Sequence, residues 1–213
     1  MLYYPDAQIP HSSHRTRQTN SYIRVFHASP NTTTMDIYIN GNLIIKALTY
    51  EEFSQYLALP VGNYNIKAYP SGEQSKAIIN TILYIPRDTV FCIAAIGILP
   101  NVSLYPIPEP VTAQNFNRPC IRFIHLSPNA PPIDVKLPDG TKVFSSIVYK
   151  DITDYACIPS GTYTFNVTFT DTDNSVIIIS DINLSPNNYY SIYLVGLVGK
   201  TPALQAIPVL EPR

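Results

Sequence analysis

The sequence predicts an all-β fold built as two tandem β-sandwiches, and three observations carry that reading. The first is composition. Tyr contributes 16 residues and Pro 20, with no Trp, and short Ile/Val/Tyr/Thr runs broken by Pro, Gly and Asn suit turn-rich sheets rather than helices. The second is alternation of apolar and polar residues along those runs, the pattern of strands with one buried face. The third is an internal repeat. Residues 23–31, IRVFHASPN, return as residues 121–129, IRFIHLSPN, at an offset of 121 − 23 = 98. Asp36-Ile37-Tyr38-Ile39 returns as Asp134-Val135-Lys136-Leu137 at the same offset. One residue inserted before Gly140 shifts the match to 99. Gly41 then meets Gly140, Tyr50 meets Tyr149, Tyr56 meets Tyr155, and Pro60-Val61-Gly62-Asn63-Tyr64 meets Pro159-Ser160-Gly161-Thr162-Tyr163. Near the ends, Ile107-Pro108 matches Ile207-Pro208 at 100. Such a period is too long for a solenoid unit and matches a duplicated domain of about 100 residues, an ordinary domain size.

Each element follows from local pattern. Residues 21–27 alternate and read as a first strand, and 29–34 form a Pro/Asn/Thr loop. Residues 35–39 are a second strand turned by Asn40-Gly41, a strong hairpin signal, and 43–48 continue the meander. Residues 50–59 leave two options open: Glu51-Glu52-Phe53 can make a helical turn, whereas the second copy over 149–158 looks extended. Pro60-Val61-Gly62-Asn63 is a turn, in which Gly62 and Gly161 are expected to supply a positive φ. Strands follow over 64–69, 77–84 and 89–98, with Pro86-Arg87-Asp88 between the last two and a short final strand near 102–105. In the second copy the strands fall at 120–125, 133–137, 142–148, 162–170, 175–184 and 189–199. About seven short strands per copy is the spacing of a β-sandwich. Between the copies, YPIPEP over 105–110 favours an extended, semi-stiff connector. The expected organisation is a flexible tail over 1–20, either disordered or an assembly segment, one domain over 21–110 and a second over 111–213.

The doubled pattern (V/I)R(V/F)xHxSPxxxxxD(V/I)x(V/I)xxG, followed by Tyr and then Pro-x-Gly-x-Tyr, resembles a bacterial family known as domain of unknown function 4397. The resemblance covers both halves and leaves out only the N-terminal tail. It implies immunoglobulin-like β-sandwiches, often in tandem and on cell-surface proteins, and it brings no activity, cofactor or catalytic residue.

The residue types that invite a chemical reading are His27 and His125. Each has a serine two residues on (Ser29, Ser127) and an acid further along (Asp36, Asp134). A triad needs nucleophile, base and acid converging on a pocket. Here no GxSxG elbow is present, and each serine precedes a proline (Pro30, Pro128). A zinc site needs three or four ligands and each copy offers two. The structural reading accounts for more: a strand ending in His-x-Ser-Pro leaves polar groups at a turn that an imidazole can satisfy. Asp36 can accept from Arg24, from His27 or from loop amides, and a buried Arg–Asp pair would orient two strands. The set Arg24, His27, Ser29, Pro30, Asp36 and its repeat Arg122, His125, Ser127, Pro128, Asp134 is therefore read as a structural motif, with no catalytic, metal or cofactor site.

Charged residues make up only 14% of the chain and the net charge is −1, so no basic field favours nucleic acid. No apolar run reaches the roughly 20 residues of a membrane-spanning helix, and the first twenty residues lack the h-region of a signal peptide. The three cysteines, Cys92, Cys120 and Cys157, do not follow the repeat, since their equivalents are Ser191, Tyr22 and Ala58. Cys92 and Cys157 are expected as small buried groups, and Cys120, beside the linker, as the candidate for an intermolecular bond. The segment LYYPDAQIP of the tail is a candidate strand for a neighbour's sheet edge. The expected function is a non-enzymatic structural or adhesive component of a bacterial surface, with spore coat or exosporium as the setting and the cytoplasm as the alternative. Its partners would be copies of itself or other surface proteins, with glycans as a further class. A carbohydrate- or protein-binding module is the second reading and a His/Asp/Ser hydrolase the third.

Overall fold

In the first copy, alternation over Asn20–His27 (β1) sends Ile23 and Val25 into the interior and Arg24 and Phe26 to the other face. The structure, a computed structural model, describes residues 20–111 and 117–211. The tail proposed as an assembly strand lies outside the described residues. After β1 come β2 (Met35–Ile39), β3 (Asn42–Leu48), β4 (Leu57–Pro60), β5 (Gly62–Pro70), β6 (Ile79–Ile85), β7 (Val90–Ile98) and β8 (Asn101–Pro108). They form two four-stranded sheets, β4-β1-β7-β8 and β3-β2-β5-β6. All neighbours are antiparallel except β1 and β7, which run parallel from Tyr22↔Val90 to His27↔Ala95. Side chains of the two inner faces, among them Val25, Met35, Ile37, Ile66 and Ile93, fill the space between the sheets.

The second copy repeats the plan with β9 (Cys120–His125), β10 (Ile133–Lys136), β11 (Lys142–Ile147), β12 (Ala156–Cys157), β13 (Gly161–Phe169), β14 (Ser175–Leu184), β15 (Tyr189–Val195) and β16 (Gln205–Leu210). Its sheets are β12-β9-β15-β16 and β11-β10-β13-β14, again with one parallel pair, β9 and β15. Phe123, Val135, Phe165, Val167 and Ile192 anchor its core. The chain thus folds as two tandem β-sandwiches, with compact units that meet in sequence between Val111 and Thr112.

Among the described residues each copy has eight strands, and the last of them shows what local pattern missed. β8 is longer than the expected 102–105 and β16 was not foreseen, because Pro106, Pro108 and Pro208 argue against a strand. Both strands lie at a sheet edge, where a residue without an N–H is tolerated. Register also corrects the repeat at its end. Ile107 sits opposite Cys92 and Val209 opposite Ser191, so Val209, not Ile207, is the equivalent of Ile107, and the offset there has grown to 209 − 107 = 102. The extra residues fall in the turn after Gly196. Gly196 and its counterpart Gly97 are required where they are. At φ +93°, a Cβ on Gly97 would lie 2.3 Å from the Asn101 carbonyl oxygen, and at φ +84° one on Gly196 would lie 2.0 Å from that of Ala203. Gly62 and Gly161 carry the expected positive φ, +159° and +157°, at the extended limit of that range, and a Cβ there would meet only the Tyr64 and Tyr163 rings at 3.9 and 3.7 Å.

The cysteine expectations need correction. Cys120 forms an intramolecular disulfide with Cys157, joining β9 to β12 where the two residues are register partners. Cys157 is exposed rather than buried, whereas Cys92 is fully buried on β7. The bond closes a sequence separation of 37, a loop whose cross-link stabilises by about 4 kcal/mol. The double variant Cys120→Ala/Cys157→Ala, or reduction of the native chain, is expected to lower the unfolding free energy of the second unit by that order, read as a lower denaturant midpoint. The first unit's transition and the molecular mass should be unchanged. A mass that depends on reductant would contradict the intramolecular assignment.

Candidate functional site

The repeated motif maps to β1 and β9 and to the loops that leave them. The segment between β3 and β4, open to two readings in the sequence, is neither helix nor a full strand. It turns at Thr49–Glu52, where the Glu52 amide donates to the Thr49 carbonyl at 3.1 Å. The Glu52 carboxylate accepts from the Thr49 amide and hydroxyl, each at 2.8 Å. The segment then runs along the outer side of β1 as a strap. The His27 amide donates to the Glu52 carbonyl at 3.0 Å, the Glu51 amide donates to the His27 carbonyl at 2.8 Å, and the Val25 amide donates to the Ser54 hydroxyl at 2.8 Å. Phe53 stacks on Phe26 with ring centroids 4.0 Å apart. The second unit keeps the design with Lys150, Asp151 and Thr153. Both faces of the first strand are therefore covered.

That cover places Arg24 at 0% exposure. A guanidinium so buried needs a carboxylate. The expected Asp36 does not supply it; Glu109, just past the end of β8, does. Arg24 Nε and Nη2 donate to Glu109 Oε1 at 2.8 and 2.5 Å. The Tyr56 hydroxyl donates to Glu109 Oε2. The guanidinium also lies over Phe53 and Tyr56, 4.6 and 5.2 Å from the ring centroids, within cation–π range. In the second unit Arg122 Nε donates to the Ser191 hydroxyl at 2.7 Å, Nη2 reaches Glu211 Oε1 at 3.5 Å, and the guanidinium lies 4.7 Å over Tyr155. Sequence reading missed both glutamates. The signal was a Glu-Pro pair ending each copy, 109–110 and 211–212, hidden by the offset of 211 − 109 = 102.

Asp36 and Asp134 have a different task. β3 and β11 are bulged, with Ala47 at φ +55° and Ser146 at φ +54°. A bulge leaves an amide without its ladder partner, and the carboxylates take these amides, Ala47 at 2.7 Å and Ser146 at 2.9 Å. Asp36 also accepts from the Ser71 hydroxyl at 2.9 Å and the Gly72 amide at 3.1 Å. The Ala47 and Gly72 amides hold its carboxyl below the usual carboxylate range against the opposing effect of burial. For Asp134, burial pushes the carboxyl up, but Lys142 at 2.6 Å, the Ser146 amide and Thr170 outweigh it, and the net shift is downward.

His27 and His125 are fully buried. His27 Nε2 lies 3.2 Å from the Thr33 carbonyl oxygen and 3.4 Å from the Thr32 hydroxyl, and its ring meets Tyr50 edge-on. His125 meets Tyr149 in the same way and faces the Pro131 carbonyl without a well-formed hydrogen bond. Burial lowers both pKa values, opposed in part by those carbonyls. The serines are spent on the fold. Ser29 donates to the Gly97 carbonyl at 2.6 Å and Ser127 to that of Gly196 at 2.7 Å, tying each post-strand loop to the C-terminal end of the seventh strand of its unit. Pro30 is buried and Pro128 partly so. The structure therefore brings Arg24 to Glu109, Ser29 to Gly97, and Asp36 to the bulge, and it separates the triad that the sequence order suggests. Among the described residues, no three His, Cys, Asp or Glu side chains converge as a metal site, and no helix is long and apolar enough to cross a membrane.

Two strapped, eight-stranded sandwiches, each with a buried Arg–Glu pair, define a tandem β-sandwich protein of immunoglobulin-like type. The chain belongs to the family described as Domain of unknown function (DUF4397), which matches residues 21–136 and 137–212. The resemblance read from the motif is thereby borne out. The two matched segments meet between β10 and β11, whereas the hydrogen-bonded sheets close within 20–111 and 117–211, so the sheets mark the physical units. No curated protein matches the chain. Similar solved structures include the C-terminal domain of AlgF from P. aeruginosa, at 17% identity over 45% of this chain and 99% of that one, TM-score 0.36. They also include the Bacillus anthracis TIE protein, at 14% identity over 88% of this chain and 34% of that one, TM-score 0.26. A third is the family CBM26 module CBMbc of Eubacterium rectale Amy13K, in complex with maltoheptaose, at 10% identity over 87% and 95%, TM-score 0.27.

Two predictions follow from this geometry. Glu109→Ala leaves Arg24 buried without its carboxylate and should cost about 3–5 kcal/mol. The apolar double replacement Arg24→Met/Glu109→Leu should recover most of that loss in equilibrium unfolding. For the histidines, a folded pKa below the ordinary 6.5 means that the unfolded chain takes up the proton first. Stability should thus fall as pH drops below about 6.5. His27→Gln/His125→Gln should flatten that slope in denaturation midpoints measured from pH 8 to 5. The contribution of Asp36 and Asp134, whose folded values are lowered, is lost only at more acid pH, below the ordinary 3.8.

Proposed function

We propose that this chain is a non-enzymatic structural or adhesive module of a bacterial surface layer, assembling with copies of itself or with other surface proteins. The observation that carries the reading is that the repeated polar residues are consumed inside the frame. Both serine hydroxyls donate to backbone carbonyls, both imidazoles are at 0% exposure, and both arginines are matched by buried glutamates. A duplicated scaffold with its polar set spent on rigidity offers its surfaces, not a reaction centre. A charge content of 14% gives weak protection against self-association, which suits a layer component. A spore coat or exosporium is the setting we favour.

A binding module is the second reading, and one surface supports it. The outer face of the β3-β2-β5-β6 sheet carries Tyr38 and Tyr69, their rings 5.5 Å apart, and Tyr84, 59% exposed. Register sets Asn63 opposite Tyr84 and Lys67 between Tyr38 and Asn80. Aromatic rings beside amides are suited to carbohydrate as well as to protein. Light scattering of the full chain over a concentration series separates the readings. Mass that grows with concentration is expected from a layer component. A monomer throughout rejects assembly and directs attention to this tyrosine-bearing face as a glycan surface.

A further inference from the structure

Among the described residues, eight strands of the two units lie at sheet edges, and seven of them carry a device that discourages pairing with another chain. β4 and β12 are short, with 4 and 2 residues. β8 and β16 contain Pro106, Pro108 and Pro208. β3 and β11 are bulged at Ala47 and Ser146 and bear Lys46 and Lys142. β14 is broken by Asp181 at φ +58° and by a register shift against β13. Short edges, proline, charge and bulges are the recognised protections of an open edge.

β6 has none of them. Its sequence, INTILYI, holds no charge, no Pro and no Gly. Its register against β5 runs unbroken from Gly62↔Ile85 to Ala68↔Ile79. It is the edge of its sheet, and it exposes Ile82 at 71% and Tyr84 at 59%. An uncharged edge of seven residues with unbroken register, five of them apolar or aromatic, is a template for another strand.

We propose that β6 is a self-pairing edge, through which two copies of this chain join antiparallel about Ile82 and fuse two four-stranded sheets into one of eight. This inference rests on the assembly reading above and names its contact. The occupant is argued from self-complementarity. In an antiparallel pair centred on Ile82, Ile82 faces Ile82, Thr81 faces Leu83, Asn80 faces Tyr84 and Ile79 faces Ile85, so no like charges oppose one another. The copy's own β14 edge is excluded as partner by its Asp181 bulge.

The test reads register as well as mass. In sedimentation of the full chain, Ile82→Lys should weaken self-association at least tenfold, whereas Ile178→Lys, at an equally exposed position on β14, should not. Directly opposed strand residues have Cα atoms about 4.5–5.5 Å apart, within disulfide range. Under mild oxidation Ile82→Cys should therefore form a covalent dimer with itself. Asn80→Cys should not, because four residues of strand, roughly 13 Å, separate the two copies of position 80. A mixture of Asn80→Cys and Tyr84→Cys chains should cross-link. If the native chain assembles but Ile82→Lys leaves assembly intact, or if Asn80→Cys self-links as readily as Ile82→Cys, this edge is the wrong contact while the assembly reading stands. If removal of residues 1–19 abolishes assembly and Ile82→Cys does not cross-link, the tail is the contact instead. A native chain that stays monomeric overturns both.

Discussion

A buried guanidinium on the first strand of each unit, Arg24 and Arg122, is the constraint on which the rest of the structure depends. Arg24 cannot be left in an apolar setting without a carboxylate, and the carboxylate must arrive from elsewhere in the fold. It comes from Glu109, immediately after the last strand. One ion pair therefore ties the beginning of the unit to its end and sets where the sandwich stops and the proline-rich connector starts. The strap over β1 follows from the same need: Phe53 and Tyr56 cover the guanidinium, and Tyr56 completes the hydrogen bonding of Glu109. A buried pair of this kind adds little net stability compared with an apolar replacement. Its contribution is to make one arrangement of strap, first strand and last strand far better than others.

The remaining motif residues each stop one local fault. Asp36 and Asp134 hold the amides freed by the bulges of β3 and β11. Ser29 and Ser127 close the gap between the post-strand loop and the glycine turn. His27 and His125 fill the end of each core, neutral because burial disfavours the charged ring. The two units solve the arginine problem differently in detail. Where the first places Cys92, the second places Ser191, which takes Arg122 Nε and lets Glu211 stand further off. Duplication has preserved the requirement rather than the contact.

The sheet edges connect frame to function. Three of the four edges of the first unit and all four of the second are shortened, bulged, charged or interrupted by proline. Compared with β14, β6 lacks the Asp181 charge and bulge, and that difference is the one on which its proposed pairing rests. The outer face beside β6 also bears the exposed Tyr84, so the edge and the aromatic face proposed for partners lie on one sheet of the first unit.

Much of this was legible in the sequence. Alternation and the Asn40-Gly41 turn located β2 residue for residue, and the offset of 98 to 99 made the duplication plain. Those features are local or periodic, and period 2 is imposed by the pleat itself. The recurrence of the motif in both copies was also readable, whereas the groups its side chains meet were not. What only tertiary structure decided are the partnerships. Arg24 meets Glu109 across 85 positions, and the Glu-Pro signal was masked by inserted residues in a turn. Cys120 meets Cys157 because their equivalents, Tyr22 and Ala58, already face one another across β1 and β4, a pairing invisible until the register is known. The last strand was hidden because proline is forbidden in a central strand but tolerated at an edge, and only the order of strands in the sheet says which of the two a segment occupies.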